Sequence, residues 1–185
     1  MKAKLGLALL AVVAVATLAG CSPIVTLTPA AQDATSPKCA SVIATLELDV
    51  PTVSGLSPRT TDTQGTAAWG TPADILLRCG VPVPDPESTI PCVTVNGIDW
   101  LRKADAHNVF VFTTFGRTPA VAVTVNSADV KADGNQALTD VAIAVATIPS
   151  QHRCVAPQAV LQDGEPVNTA PTQTPTPTAT PTTKP

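Results

Sequence analysis

The chain has 185 residues, of which 44% are hydrophobic and only 3% aromatic, and its formal net charge is −3. This length fits one ordinary domain with tails. Surfaces that bind nucleic acids are basic and often carry stacking aromatic side chains, so the acidic balance and the lack of tyrosine exclude that class. We therefore expect no nucleic-acid partner.

The first 20 residues have the order of a secretory signal peptide. Lys2 and Lys4 form a short basic region, an apolar run covers residues 5–15, and the string Leu18-Ala19-Gly20-Cys21 follows. The uncharged run is shorter than the roughly 20 residues that cross a bilayer. We expect residues 1–20 to be removed during export, which leaves a more acidic mature chain.

The string that ends at Cys21 resembles the lipobox of bacterial lipoproteins. The resemblance implies a diacylglyceryl group on the Cys21 thiol, cleavage after Gly20, and further acylation of the new amino group, with palmitate-type chains. Two or three acyl chains hold a protein stably on a membrane. We expect the protein to be anchored by lipid on the extracytoplasmic face of the cell membrane. The alternative is an ordinary signal peptide followed by an incidental cysteine.

The cysteine count agrees with an exported, lipidated chain. Lipidation of Cys21 uses one of five cysteines and leaves four, namely Cys39, Cys79, Cys92 and Cys154. The chain has no Cys-x-x-Cys pair and its two histidines are isolated, so we expect disulfides rather than a metal site, and no cofactor. Cys39 and Cys154 lie near the two ends of the predicted domain, and Cys79 and Cys92 bracket a proline-rich loop. We therefore predict the pairs Cys39–Cys154 and Cys79–Cys92.

Residues 21–36 are rich in Pro, Thr and Ala and are predicted to form a flexible tether after the lipidated cysteine. A helix is predicted next, with Ser36 as its N-cap, Pro37 in its first turn and Pro51 at its end. Its apolar stripe recurs at helical spacing: Cys39, Val42, Ile43 and Leu46. Residues 52–66 are predicted to be a loop, and residues 71–74 a single helical turn.

Strands are predicted in the middle of the chain. Ile75–Cys79 is one short apolar strand, and Asn96-Gly97 between two alternating runs predicts a hairpin with a type I′ turn. Residues 108–115 and 120–125 predict a second hairpin. In its last strand the valines alternate with Ala120 and Ala122, and we expect a helix to pack closely on the face of these two alanines.

A second helix is predicted to begin at Asp133, which has Gln136 at capping-box spacing, and to end at Pro149. From residue 157 onward threonine and proline dominate, which predicts a disordered tail. The globular domain is thus expected over residues 37–156. Its predicted fold is α+β: an antiparallel sheet of four to five strands, with two helices on one face and two disulfides.

Candidate chemistry is sparse, and we assign no catalytic residue. His107 lies in a predicted hairpin turn near Asp105, and His152 follows the second predicted helix; for each, a solvent-exposed histidine is a plainer interpretation than a catalytic base. Asp99 follows the Asn-Gly turn and could face Arg78 or Arg117, although a simple ion pair is the plainer interpretation. Trp69 and Trp100 could line a pocket or belong to the core. The candidate ligand-binding or structural cluster is therefore Trp69, Arg78, Asp99, Trp100 and Arg117.

Four motifs together resemble the DUF3515 family of actinobacterial lipoproteins and secreted proteins, whose function is unknown. They are Ala67-Ala68-Trp69-Gly70, Leu77-Arg78-Cys79-Gly80-Val81, Val95-Asn96-Gly97-Ile98-Asp99-Trp100 and Phe115-Gly116-Arg117-Thr118-Pro119. The resemblance covers residues 37–155 and implies a location in an actinobacterial cell envelope. It implies no activity and no catalytic residue.

Two main functions are compatible with these features. The first is a non-enzymatic binding or accessory module, whose partners are the membrane, reached through the lipid, and envelope proteins or wall components. The alternative is an envelope enzyme that acts on peptidoglycan or its precursors and uses Arg78, Asp99 and Arg117 around Trp69. A structural spacer with a sugar-bearing tail is a third hypothesis. The first two differ in one geometric expectation, because only the enzyme requires these side chains to converge in one pocket.

Overall fold

The computed structural model describes residues 23–128 and 132–154. The chain divides into two units, residues 1–154 and residues 155–185. The predicted leader, Cys21 and the Thr/Pro-rich tail lie outside the described residues. Within the described part, no helix has the length and apolar character that a bilayer crossing requires.

One antiparallel sheet of seven strands forms the centre of the domain, in the order β1-β2-β3-β7-β6-β5-β4. The strands are β1 (Pro58–Arg59), β2 (Thr66–Trp69), β3 (Ile75–Val81), β4 (Cys92–Val95), β5 (Ile98–Ala104), β6 (Val109–Thr114) and β7 (Ala120–Asn126). The antiparallel sheet is confirmed, but the expected count of four to five strands is wrong. The surplus comes largely from β1 and β2, because strands of two and four residues are too short to show an alternating pattern.

Two helices lie on one face of this sheet. Helix α1 covers Pro37–Asp49 and helix α2 covers Gly134–Val145, and a 3₁₀ turn at Ala106–Asn108 joins β5 to β6. The Asp133 side chain accepts a hydrogen bond from the Gln136 amide, which caps α2 as the sequence predicts. Ser36 stands at the start of α1, but its side chain makes no capping bond there.

The core lies between the helices and the face of β7 that carries Val121, Val123 and Val125. All three valines are fully buried and belong to the core cluster with residues of both helices, whereas Ala120, which is buried, and Ala122, which is half-buried, lie on the opposite face and outside that cluster. The prediction that a helix packs on the alanine face is therefore wrong. Three valines remove more apolar surface from water than two alanines do, so burying the valine face stabilises the fold more.

Residues 23–36, which we name the N-terminal segment, are not a free tether. The Val25 amide donates to the Thr60 carbonyl, and the Asp33 amide donates to the Gly80 carbonyl. Leu27 and Ala34 are buried. The predicted tether is thus corrected for these residues: their composition is typical of a linker, but two apolar side chains and several backbone bonds fix them to the domain.

Both predicted disulfide pairs are wrong, although all four cysteines are paired. The bonds join Cys39 to Cys79, with Cα atoms 5.5 Å apart, and Cys92 to Cys154, with Cα atoms 6.0 Å apart. Cys79 lies on β3 and Cys92 begins β4, and these strands are four positions apart in the sheet. Four strand spacings amount to about 19 Å, which exceeds the Cα separation that a disulfide spans.

Candidate functional site

A cleft with a volume of about 460 Å³ lies between α1 and the segment that contains β1 and β2. Its lining includes the apolar residues Ile43, Leu46 and Trp69 and the polar residues Thr60 and Thr61. A second cavity of about 430 Å³ adjoins it and shares four lining residues with it, which are Ile43, Glu47, Thr61 and Thr66. Together they form a groove along α1, which we name the α1 groove.

The local sequence explains why the groove exists. Ala67 and Ala68 occupy the middle of β2 and line the cleft. Because side chains alternate along a strand, Ala67 lies on the same face as Trp69, and its small side chain leaves space there. Strand β1 pairs only with Ala68 and Trp69, so the first half of β2 has no strand on its outer side. The groove is lined mainly by apolar and threonine residues, with Glu47 on both cavities, and a largely apolar lining with a few polar groups is the usual character of a ligand cleft.

Of the five predicted cluster residues, only Trp69 lines the groove. Its side chain is 2% exposed and belongs to the core cluster, so it both packs in the core and forms part of the cleft wall. Trp100 is completely buried in the same core, and its indole Nε1 has no hydrogen-bond partner among the described residues. The core interpretation thus applies to both tryptophans, and Trp69 in addition lines the cleft.

Arg78 binds the N-terminal segment rather than a ligand cavity. Its guanidinium Nη2 donates to the Pro29 carbonyl, and its Nε is buried without a described partner. Gly80, two residues later, has φ +89° and lies so close to the segment that an added Cβ would approach the Asp33 carbonyl carbon to 2.3 Å. Arg78 and Gly80 of β3 therefore form part of the surface against which the N-terminal segment packs.

Asp99 and Arg117 bind residues 148–154, which we name the C-terminal segment. Asp99 accepts from the Thr94 hydroxyl at 2.6 Å and from the Cys154 amide at 3.0 Å, so both of its carboxylate oxygens are engaged. Arg117 Nη1 donates to the Ile148 carbonyl. The Gly116 carbonyl accepts the Gln151 amide, and the lack of a side chain at Gly116 makes room for His152.

Burial lowers the pKa of the Arg117 guanidinium from its ordinary value, and the positive charge of Arg153 lowers it further. The negative charge of Asp99 acts in the opposite direction and raises this pKa. Asp99 and Arg117 thus influence each other electrostatically, and both side chains bind the C-terminal segment.

The predicted cluster is thus divided among four places: Trp69 at the groove, Trp100 in the core, Arg78 at the N-terminal segment, and Asp99 with Arg117 at the C-terminal segment. Sequence analysis missed the groove residues Ile43, Thr61 and Thr66, because α1 and the 60–67 segment face each other only after folding. Across the described residues, His, Cys, Asp and Glu form no group that could hold a metal ion.

Comparison with known proteins gives one match. The family model described as "Protein of unknown function (DUF3515)" matches residues 5–153, which is most of the chain. Searches of the curated proteins and of the solved structures found no match.

Proposed function

The chain belongs to the DUF3515 family, and on that premise we propose that it is a lipid-anchored, extracytoplasmic binding module of the cell envelope. In this proposal the lipid is carried by Cys21, the membrane is the first partner, and the α1 groove receives an envelope component. Its role is to present the groove near the membrane surface and not to catalyse a reaction.

The pairing of the cysteines carries the anchoring part of the proposal. Cys39, Cys79, Cys92 and Cys154 all have disulfide partners within the domain. Structural disulfides persist in oxidising compartments outside the cytosol. Cys21 is thus left as the single cysteine without an intrachain use, at the end of a string that resembles a lipobox. The pairing of four cysteines and the position of the fifth, Cys21, together support export and lipidation.

The groove supports the binding part. It combines apolar side chains with threonine hydroxyls, and the ionisable side chains on its main cleft, Glu47 and Arg59, come from different walls. The Arg59 guanidinium is already engaged by the carbonyls of Pro23 and Gly70. The envelope-enzyme alternative depended on the convergence of Trp69, Arg78, Asp99 and Arg117, and their separation removes its support.

Substitution of Cys21 by alanine tests the anchor. We expect the wild-type protein to remain with the membrane fraction after alkaline extraction, because acyl chains resist it, and Cys21→Ala to be released. Both disulfides should be intact in the variant, as non-reducing peptide mapping would show. Retention of Cys21→Ala on membranes after alkaline extraction contradicts the lipid anchor.

A pair of variants on α1 tests the groove. Ile43 lines both cavities, whereas Leu48 on the same helix is 82% exposed and lines neither. We expect Ile43→Lys to lose the crosslinked adducts that wild type and Leu48→Lys form on intact cells, because its ammonium group occupies the apolar wall. Circular dichroism establishes that both variants are folded. Identical adducts in all three proteins would remove the groove from the proposal.

A further inference from the structure

The folded domain begins very close to the proposed lipid. The Pro23 carbonyl accepts a hydrogen bond from Arg59 Nη2 at 2.6 Å, and the same guanidinium binds the Gly70 carbonyl and the Thr71 hydroxyl. Val25 pairs with Thr61 in a parallel bridge. The chain is therefore fixed to the domain from Pro23 onward.

Asp62 fixes the next residues. Its carboxylate accepts the Leu27 amide at 2.8 Å, and its own amide donates to the Val25 carbonyl at 3.3 Å. The hydrogen bond from Leu27 is the main cause that lowers the pKa of Asp62 from its ordinary value. The carboxylate is therefore ionised at neutral pH, and it holds this stretch while it stays ionised.

Covalent geometry then limits the distance to the anchor. Cys21 and Pro23 are two residues apart, and two residues of extended chain span at most about 7 Å. A lipid on Cys21 enters the bilayer at that point. Pro23, Ile24 and the strand that holds them must therefore lie at the membrane surface, and a long flexible linker is not available to move them away.

The surface at this point suits a lipid boundary. We name it the β1 edge: residues 23–25, residues 58–60 and Thr71. Ile24 is 59% exposed, although its neighbours Pro23 and Val25 are hydrogen-bonded to the domain. Its apolar side chain therefore projects from the edge. The Arg59 guanidinium donates hydrogen bonds to three protein oxygens. An apolar side chain beside satisfied polar groups is compatible with the interfacial region of a bilayer.

We infer that the β1 edge is held against the lipid surface, with Ile24 in the interface and the β4 edge pointing away from it. This inference rests on the proposed anchor at Cys21. Pro58, Arg59 and Thr60 also line the main cleft. The α1 groove therefore opens beside the membrane, where it meets components of the bilayer surface before those of the distant wall.

Tryptophan fluorescence in vesicles tests the orientation. The lipidated protein is purified as Ile24→Trp and as Ile90→Trp, and each is reconstituted into phosphatidylcholine vesicles whose acyl chains carry bromine, a collisional quencher. Ile90 is a matched control because it is 40% exposed and lies two residues before β4, at the opposite edge of the sheet. The two edges are six strand spacings apart, or about 29 Å. Wild type supplies the background from the two buried native tryptophans.

We expect the introduced tryptophan of Ile24→Trp to lose most of its fluorescence, and that of Ile90→Trp to lose no more than the wild-type background. Equal quenching in the two variants, in protein that floats with the vesicles, overturns the orientation alone. Protein that fails to float overturns the proposed anchor and the orientation with it.

A third protein carries a twelve-residue Gly-Ser insertion between Ser22 and Pro23 in the Ile24→Trp background. It should float but regain most of its fluorescence, because the insertion removes the distance limit. If quenching persists after the insertion, the short connection between Cys21 and Pro23 does not determine how close residue 24 lies to the bilayer.

Discussion

At the scale of single residues, the three charged residues of the family motifs, together with Gly80 and Gly116, contact the two terminal segments. Arg78 binds the Pro29 carbonyl, Arg117 binds the Ile148 carbonyl, and Asp99 accepts the Cys154 amide. Gly80 and Gly116 leave out the side chains that would collide with those segments. Residues that suggest a binding site in the sequence thus fix the ends of the domain.

Gly116→Ala tests this role, with Gly55→Ala as the matched control. The two glycines have φ of +70° and +73°, but an added Cβ at Gly116 would lie 2.2 Å from the His152 carbonyl oxygen, while Gly55 has nothing within 4 Å. Backbone strain should cost each variant about 1 kcal/mol, and overpacking should cost Gly116→Ala about 1–3 kcal/mol more. Urea unfolding of the two variants, with their disulfides intact, measures both losses of stability. Equal losses of stability would show that close approach at Gly116 is unimportant.

At the scale of elements, local signals predict the structure well and long-range ones do not. The Asn96-Gly97 hairpin is confirmed because a type I′ turn needs positive φ at both residues, and both have it, at 46° and 76°. The predicted pair Cys79–Cys92 is wrong because nearness in sequence is a poor guide to nearness in space, and the pair Cys39–Cys154 is wrong because each of its cysteines bonds to one of the other two. Strands β5, β6 and β7 lie between β3 and β4, and no local pattern encodes that order.

The two disulfides should differ in their response to reductants. Cys39 and Cys79 are completely buried, whereas Cys92 and Cys154 are partly exposed. Thiol–disulfide exchange requires access to a sulfur atom, so a mild thiol reductant should open Cys92–Cys154 first. Timed alkylation followed by mass spectrometry measures the order. Earlier labelling of Cys39 and Cys79 would contradict the burial described for this pair.

Each disulfide closes a long loop, with sequence separations of 40 and 62 residues between its cysteines. Chain-entropy reasoning gives each about 4 kcal/mol of stabilisation, a large share of the roughly 5–15 kcal/mol that is typical of a domain. The first joins α1 to β3, and the second joins the C-terminal segment to β4. The two bonds thus hold the helical layer and the chain end to the sheet.

At the scale of the whole molecule, the family and the α+β class could be predicted from the sequence, while the groove could not. The motifs that carry the family resemblance are continuous stretches, and the family match agrees with them. The groove forms where Ile43 of α1 faces Thr61 and Thr66. These threonines are distant from Ile43 in the chain, and no sequence motif connects the three residues. The fixed N-terminal segment was missed because its composition is that of a linker.

The mass of one tryptic peptide tests the central claim, that Cys21 anchors this domain to a membrane. In protein isolated from membranes of its own host, trypsin releases Cys21–Lys38, a peptide whose only cysteine is Cys21. We predict that it begins at Cys21 and is heavier than its unmodified sequence by a diacylglyceryl group, with or without a further acyl chain. An unmodified Cys21–Lys38 peptide, or a peptide that still carries leader residues before Cys21, would contradict the account.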